Sequence, residues 1–454
     1  MQPGNFLKAP GIAHLFAKDA LGALFVQGGG AILILLSEIV LARLMGVAQF
    51  GLYATVTAWM FVFVLIATLG FNHALLRYVP TYIAQESWGA LRGVLQRTNL
   101  WSAFAAILIA VLAGVTVWWF QGQWGAGVAA AFTVAIVGLP FQVLGGLRQA
   151  TLRGLQQIVR ALAPELIIRP LVLLGLLGGV VFFSSVTVDA ITTLSLNLAA
   201  ILMAFVVGLL WQRKYMVAEV KTVQPLFHDR EWLMVAWPLF ILVALQAVDS
   251  GRIDVLLLGM MVNAEAAGIY AASNRLAEIV LFVIASTNAA AAAMMARMYA
   301  TSDREGLQRL VSMATGGVLL LALPVTAVLM IYGHDILRFF GPEFQTGYWP
   351  LMGLLAAQLV VAMAGSVMLL LTLTGHQAEA AKYMAWGVAV KLTLSLLLIP
   401  SFGMIGAATA TLAGALLWNS MMLGCVRRSV GVDPSVIRLL KLLRKRPMTG
   451  LRGD

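Results

Sequence analysis

Residues Leu100–Phe120 read LWSAFAAILIAVLAGVTVWWF, twenty-one consecutive positions without a charge. At about 1.5 Å of rise per residue, a helix of this length covers roughly 30 Å, the thickness of bilayer hydrocarbon. In lipid each backbone N–H needs an internal partner, so the segment is expected to be a helix. Membrane β-strands would alternate in polarity over about ten residues, and the chain shows no such pattern.

Comparable runs lie on both sides of this one. The first half of the chain carries Leu21–Met45, Tyr53–Leu76, Gly127–Leu147, Leu162–Phe183 and Ala190–Trp211. The second half carries Trp232–Met261, Ala267–Met295, Leu310–Tyr332, Trp349–Leu373, Tyr383–Ile399 and Ile405–Val426. Of the 454 residues 61% are hydrophobic and 11% charged, against about 25% charged in soluble domains. The mean hydropathy is +0.92. The reading is an all-α polytopic membrane protein of about twelve transmembrane helices. The N-terminus through Lys18 is too polar for a cleaved leader, so the first span is expected to be retained.

The net charge of +11 would suggest nucleic acid in a soluble chain. Here the basic residues fall between apolar runs, and nucleic acid is not an expected partner. Placing the N-terminus in the cytoplasm puts 25 Lys and Arg on the inner side, among them Arg148, Arg153, Arg160 and Arg169 in one segment. Only Arg43 and Arg338 fall outside. This asymmetry predicts cytoplasmic termini and an even number of spans. Trp118, Trp119 and Trp124 cluster at an outer end as interfacial anchors. The stretch Arg438–Arg446 is basic and amphipathic, suited to lying on anionic lipid. The single cysteine, Cys425, and the five scattered histidines offer no disulfide framework and no metal-ligand spacing. No cofactor is expected, and no ATP-binding loop is present.

An internal repeat organises the chain. Gly51-Leu52-Tyr53-Ala54 recurs as Gly268-Ile269-Tyr270-Ala271, Ala90-Leu91 as Gly306-Leu307, and Leu152-Arg153-Gly154 as Leu373-Thr374-Gly375. The offsets stay near 217 residues. The expected organisation is a cytoplasmic segment (1–20), a six-helix bundle (21–211), a cytoplasmic linker (212–231), a second six-helix bundle (232–426) and a basic tail (427–454). Six spans per half give both halves the same orientation. A pseudo-two-fold axis along the membrane normal and a central cavity follow as expectations.

Seven ionisable residues fall within the spans: Glu38, Asp249, Arg252, Asp254, Arg275, Glu278 and Lys391. Each costs roughly 3 kcal/mol at a bilayer centre, so they must pair or face water. Asp249 with Arg252, and Arg275 with Glu278, are spaced i,i+3 on a helix face. Asp254 points elsewhere, toward another helix. Lys391 has no charged neighbour on its own span and needs a partner helix, a water-filled cavity or an anionic ligand. Structural pairs stapling neighbouring helices are the competing reading of all seven.

Four stretches resemble the polysaccharide-transporter, or oligosaccharide flippase, family of the multidrug/oligosaccharidyl-lipid/polysaccharide flippase superfamily. They are Leu41-Ala42-Arg43-Leu44-Met45-Gly46-Val47-Ala48-Gln49-Phe50-Gly51-Leu52-Tyr53 with Leu75-Leu76-Arg77-Tyr78; Ala267-Gly268-Ile269-Tyr270 with Arg275; Phe340-Gly341-Pro342-Glu343-Phe344; and Leu373-Thr374-Gly375 with Ile399-Pro400-Ser401-Phe402-Gly403-Met404-Ile405-Gly406-Ala407-Ala408. The resemblance covers nearly the whole chain and implies a transporter rather than an enzyme. Its expected cargo is a polyprenyl-diphosphate-linked oligosaccharide, moved from the cytoplasmic to the outer leaflet of a bacterial inner membrane for surface polysaccharide. Membrane lipids, a polysaccharide polymerase and glycosyltransferases are the implied partners.

On that reading Arg252, Arg275 and Lys391 hold the diphosphate, and the acids reset the emptied site. Arg77, at the inner end of span two, attracts anionic head groups or orients its helix. Glu38 sits near the outer end of span one. Asp249, Asp254, Glu38 and Glu278 are candidates to carry a coupling proton or sodium ion. The alternatives are a multidrug antiporter of the same superfamily, a peptidoglycan-precursor flippase (expected to show fourteen spans), and a membrane-embedded polymerase or glycosyltransferase, which needs larger outer loops.

Overall fold

A computed structural model of the chain describes residues 10–183 and 187–439. Those residues are predominantly helical, with no strand among them. In order they form α1 (Pro10–Ala67), α2 (Phe71–Ala84), α3 (Trp88–Trp124), α4 (Ala126–Val137), α5 (Leu139–Gly154), α6 (Ile158–Ala163), a π-turn (Pro164–Ile168), α7 (Arg169–Phe183) and α8 (Ala190–Tyr215). There follow α9 (Asp229–Asp249), α10 (Arg252–Met261), α11 (Ala264–Ala300), α12 (Arg304–Leu337), α13 (Tyr348–Ala364), α14 (Val367–Leu373) and α15 (Gln377–Ser429).

Ten helices among the described residues are long and apolar enough to cross a membrane. Two of them exceed any single crossing. Phe25–Ala67 has 43 residues and Gln377–Ser429 has 53, whereas about 20 suffice. Each is broken at a glycine with positive φ, Gly46 (φ 73°) and Gly403 (φ 53°). For α15 the packing shows a hairpin. A Cβ at Gly406 would meet the Leu398 carbonyl at 2.5 Å, one at Gly414 the Lys391 Cβ at 2.9 Å, and one at Gly387 the Trp418 Cβ at 2.7 Å. All three pairs centre on about Phe402, so the limbs run antiparallel. Small residues at Gly387, Gly406 and Gly414 let the two backbones approach. A count of twelve spans rests on treating both glycine breaks as turns between crossings.

Several apolar runs that read as continuous are interrupted. The run Tyr53–Leu76 breaks after Ala67 at Leu69 (φ 50°) and Gly70 (φ 77°). Trp232–Met261 breaks at Gly251, and Trp349–Leu373 at Gly365, both at φ near 77°. Leu162–Phe183 contains the π-turn.

The chain forms two compact units, Met1–Ala244 and Leu245–Asp454. In the first, α2, α3 and α5 share a core around Phe71, Leu75, Leu91 and Leu147. The segment expected as a linker is held on this unit. Arg92 donates to the carbonyls of Lys221 (3.0 Å) and Val223 (2.6 Å), and Trp232 Nε1 donates to the Tyr82 hydroxyl (2.9 Å). The boundary therefore falls inside α9. In the second unit α13 and α14 pack along α15, with Leu371, Met384, Trp418 and Met422 in the core. The first part of the tail is anchored on α12. Gln308 accepts from the Asp433 N–H (2.7 Å) and donates to its carbonyl (2.8 Å), and Thr315 donates to the Pro434 carbonyl (2.7 Å). The remainder of the basic amphipathic stretch, and both chain ends, lie outside the described residues.

Two helix-ending turns of the first half have counterparts of the same hydrogen-bond pattern in the second. The amides of Gln85, Glu86 and Ser87 donate to the carbonyls of Thr81, Ile83 and Tyr82. At an offset of 216, Thr301, Ser302 and Asp303 donate to Arg297, Tyr299 and Met298. Glu86 and Ser302 share a left-handed backbone, at φ 53° and 57°. Leu155 and Gln157, bonded to Thr151 and Leu152, recur as Thr374 and His376, bonded to Leu370 and Leu371. This third match has an offset of 219, so the hydrogen bonds pair Leu155 with Thr374, two residues away from the register that the Leu-Arg-Gly and Leu-Thr-Gly triplets suggest.

Candidate functional site

The break between α9 and α10 organises the intramembrane charges of the second unit. A helix end leaves its last carbonyls without amide partners, and Gly251 ends α9 inside an apolar stretch. Two of those carbonyls turn to Lys391 on the first limb of α15. Its ammonium donates to Val248 O at 3.0 Å and Asp249 O at 3.1 Å. The negative end of a helix dipole favours a cation here. The third donor of the ammonium meets Asp254 Oδ2 of α10 at 3.0 Å, and both side chains are fully buried. The same oxygen accepts from the hydroxyls of Tyr270 on α11 (3.2 Å) and Thr411 on the second limb of α15 (3.0 Å). Four segments thus converge on one carboxylate. Asp254 Oδ1 is buried with no partner within the protein.

A second group adjoins the first through the same break. Asn274 on α11 donates to the Ser250 carbonyl (3.4 Å) and to Glu278 Oε1 (3.1 Å), and Arg275 pairs with Glu278 at 2.5 Å. Gly251 seats directly on the Asn274 side chain, whose Oδ1 would lie 2.4 Å from an added Cβ.

The structure therefore gathers Asp249, Arg252, Asp254, Arg275, Glu278 and Lys391 around one helix break. The i,i+3 expectation holds for Arg275 and Glu278. Asp249 and Arg252 do not share a helix, since one ends α9 and the other begins α10 with the left-handed Gly251 between them. Glu38 and Arg77 belong to the first unit. Glu38 lies part-buried on the first limb of α1. Arg77 is exposed on α2, with its guanidinium 5.9 Å from the Tyr78 ring.

Three members were not singled out as site residues in the sequence: Tyr270, Thr411 and Asn274. The dipeptide Ser250-Gly251, a turn signal flanked by Asp249 and Arg252 within an otherwise apolar run, was the clue to the break. The first unit holds a further polar group, formed by arginines that had been counted with a cytoplasmic loop. Arg148 is buried in α5, donates to the Phe205 carbonyl at 2.6 Å and lies over that ring, in space left by Gly208. Arg169 pairs with Glu165 of the π-turn (3.1 Å) and donates to Asn197 (3.2 Å).

Thr411→Val keeps the shape of the side chain but removes one donor from Asp254. The expected loss is about 0.5–1.5 kcal/mol, the net worth of one hydrogen bond to an oxygen that keeps its other partners. The thermal midpoint of the detergent-solubilised protein measures it.

Solved structures share this architecture. An inward-facing multidrug resistance transporter of the MATE family, in the MOP superfamily, superposes with a TM-score of 0.74 at 12% identity, over 94% of this chain and 100% of that one. The lipid II flippase MurJ in an inward closed conformation gives 0.70 at 15%, over 93% and 92%. A MOP-superfamily transporter from Pyrococcus furiosus gives 0.64 at 13%, over 94% and 95%. At these identities the likeness is one of fold. No curated protein matches the chain. The fold is the multi-pass helical membrane fold of these solved structures. The family model described as polysaccharide biosynthesis protein matches residues 16–299, more than half of the chain, and the protein belongs to that family.

Proposed function

We propose that the protein is a flippase that carries a polyprenyl-diphosphate-linked oligosaccharide from the cytoplasmic to the outer leaflet of a bacterial inner membrane, by alternating access and with both termini cytoplasmic. The observation that carries this reading is the polysaccharide-biosynthesis family match across residues 16–299 of a chain built almost entirely of membrane-spanning helices. The distribution of Lys and Arg supports the orientation.

In this reading the part-buried Arg252 and Arg275 meet the diphosphate. Arg275 exchanges its Glu278 partner for phosphate oxygens, a substitution that guanidinium geometry favours. Lys391 is fully buried against Asp254, so its role is to set the shape of the break that presents Arg252. A proton gradient drives the cycle, with the carboxylates around the break as its carriers. Polymerase and glycosyltransferases act on either side of this step.

Depletion in the native host tests the proposal. The lipid-linked intermediate should accumulate on the cytoplasmic leaflet, with drug susceptibility unchanged. Normal outward transfer followed by failed polymerisation would instead assign the protein to the polymerising step.

A further inference from the structure

We propose that the α9–α10 break is a monovalent-cation site whose resident cation is the ammonium of Lys391. The inference is independent of which substrate the protein carries. Three oxygens surround Nζ at 3.0–3.1 Å: the carbonyls of Val248 and Asp249, and Asp254 Oδ2. An ammonium has three donors, and all three are used. The same shell, a carboxylate with carbonyls freed at the C-terminal end of an interrupted helix, is one that coordinates a bare alkali ion in membrane proteins.

The surroundings make a cation obligatory. Asp254 is fully buried, and a buried carboxylate without a positive partner is strongly destabilising. Tyr270 and Thr411 supply neutral donors only. The unpartnered, buried Asp254 Oδ1 leaves the carboxylate with acceptor capacity beyond what Lys391 uses. The charged and titratable groups facing the ammonium are Asp254 on α10, Asp249 at the end of α9, and Tyr270 on α11, with Arg252 two residues before Asp254. Thr411 on the second limb of α15 and Ser395 one turn along the first are the neutral polar neighbours. Distances near 3.0 Å suit an ion of ammonium or potassium size; sodium requires the oxygens to close in.

Two consequences follow. The native protein needs no alkali ion at this position, because the lysine side chain delivers the charge covalently. Removing that side chain uncovers a site for a free cation.

The test uses the full-length protein in detergent. Thermal midpoints are compared in potassium, ammonium, sodium and N-methylglucamine chlorides at equal ionic strength. The wild type should give the same midpoint in all four. Lys391→Ala should be stabilised by roughly 2–4 °C in potassium or ammonium relative to N-methylglucamine, as expected for a ligand that binds only the folded state. Adding Asp254→Asn should abolish that response. If Lys391→Ala is folded in potassium and unfolded in N-methylglucamine, the expected result appears in its strongest form. A wild type stabilised by potassium or sodium would overturn the proposal. So would a Lys391→Ala protein that shows no cation preference or is unfolded in every salt.

Discussion

Lys391→Met is expected to destabilise the protein by about 3–5 kcal/mol, the range for breaking a buried ion pair, and Asp254→Asn on top of it to recover most of that loss. Methionine keeps the unbranched apolar stem but leaves Asp254 buried without its cation. Asparagine then removes the charge while its carbonyl still accepts from Tyr270 and Thr411. The double-mutant cycle, read as thermal midpoints in detergent, isolates the coupling between α10 and α15. If the two losses simply add, the pair is not the contact that holds these helices together.

The second large effect belongs to Gly251. Its φ of 78° lies in the left-handed region, where an L side chain costs about 1–2 kcal/mol. Its missing Cβ is also the space occupied by the Asn274 amide. Gly251→Ala must therefore reopen the break or push α11 away. Either movement draws the Val248 and Asp249 carbonyls off Lys391. Transport and thermal midpoint are both expected to fall. Gly29→Ala is the control, because that position faces open space in a regular stretch of α1 and should change neither. Wild-type behaviour of Gly251→Ala would show that the left-handed joint does not set the site.

These two residues also mark the limit of what the sequence tells. Apolar length and the distribution of Lys and Arg were enough to give an all-helical polytopic chain, because lipid leaves the backbone no other solution. The Arg275–Glu278 pair was legible because helical spacing alone joins them. The Lys391–Asp254 pair was not, since only the folded packing of α10 against α15 brings together residues 137 apart in the chain. The breaks at Gly70 and Gly365 escaped because glycine is common in membrane helices, whereas the polar run Asp249-Ser250-Gly251-Arg252 did mark the third. Arg148 was assigned to a loop because a basic residue at the end of an apolar run reads as cytoplasmic. Its burial depends on the absent side chain of Gly208, on a helix sixty residues away.

Whether the charges around the break serve transport or only fasten helices is decided by the Lys391→Met/Asp254→Asn double variant, reconstituted in liposomes and assayed for translocation of a lipid-linked oligosaccharide. The account predicts a protein near wild-type stability that no longer translocates, because the neutral pair cannot maintain the charged break that presents Arg252. Translocation at the wild-type rate by that stable double variant would contradict it and reduce the pair to a fastening between α10 and α15.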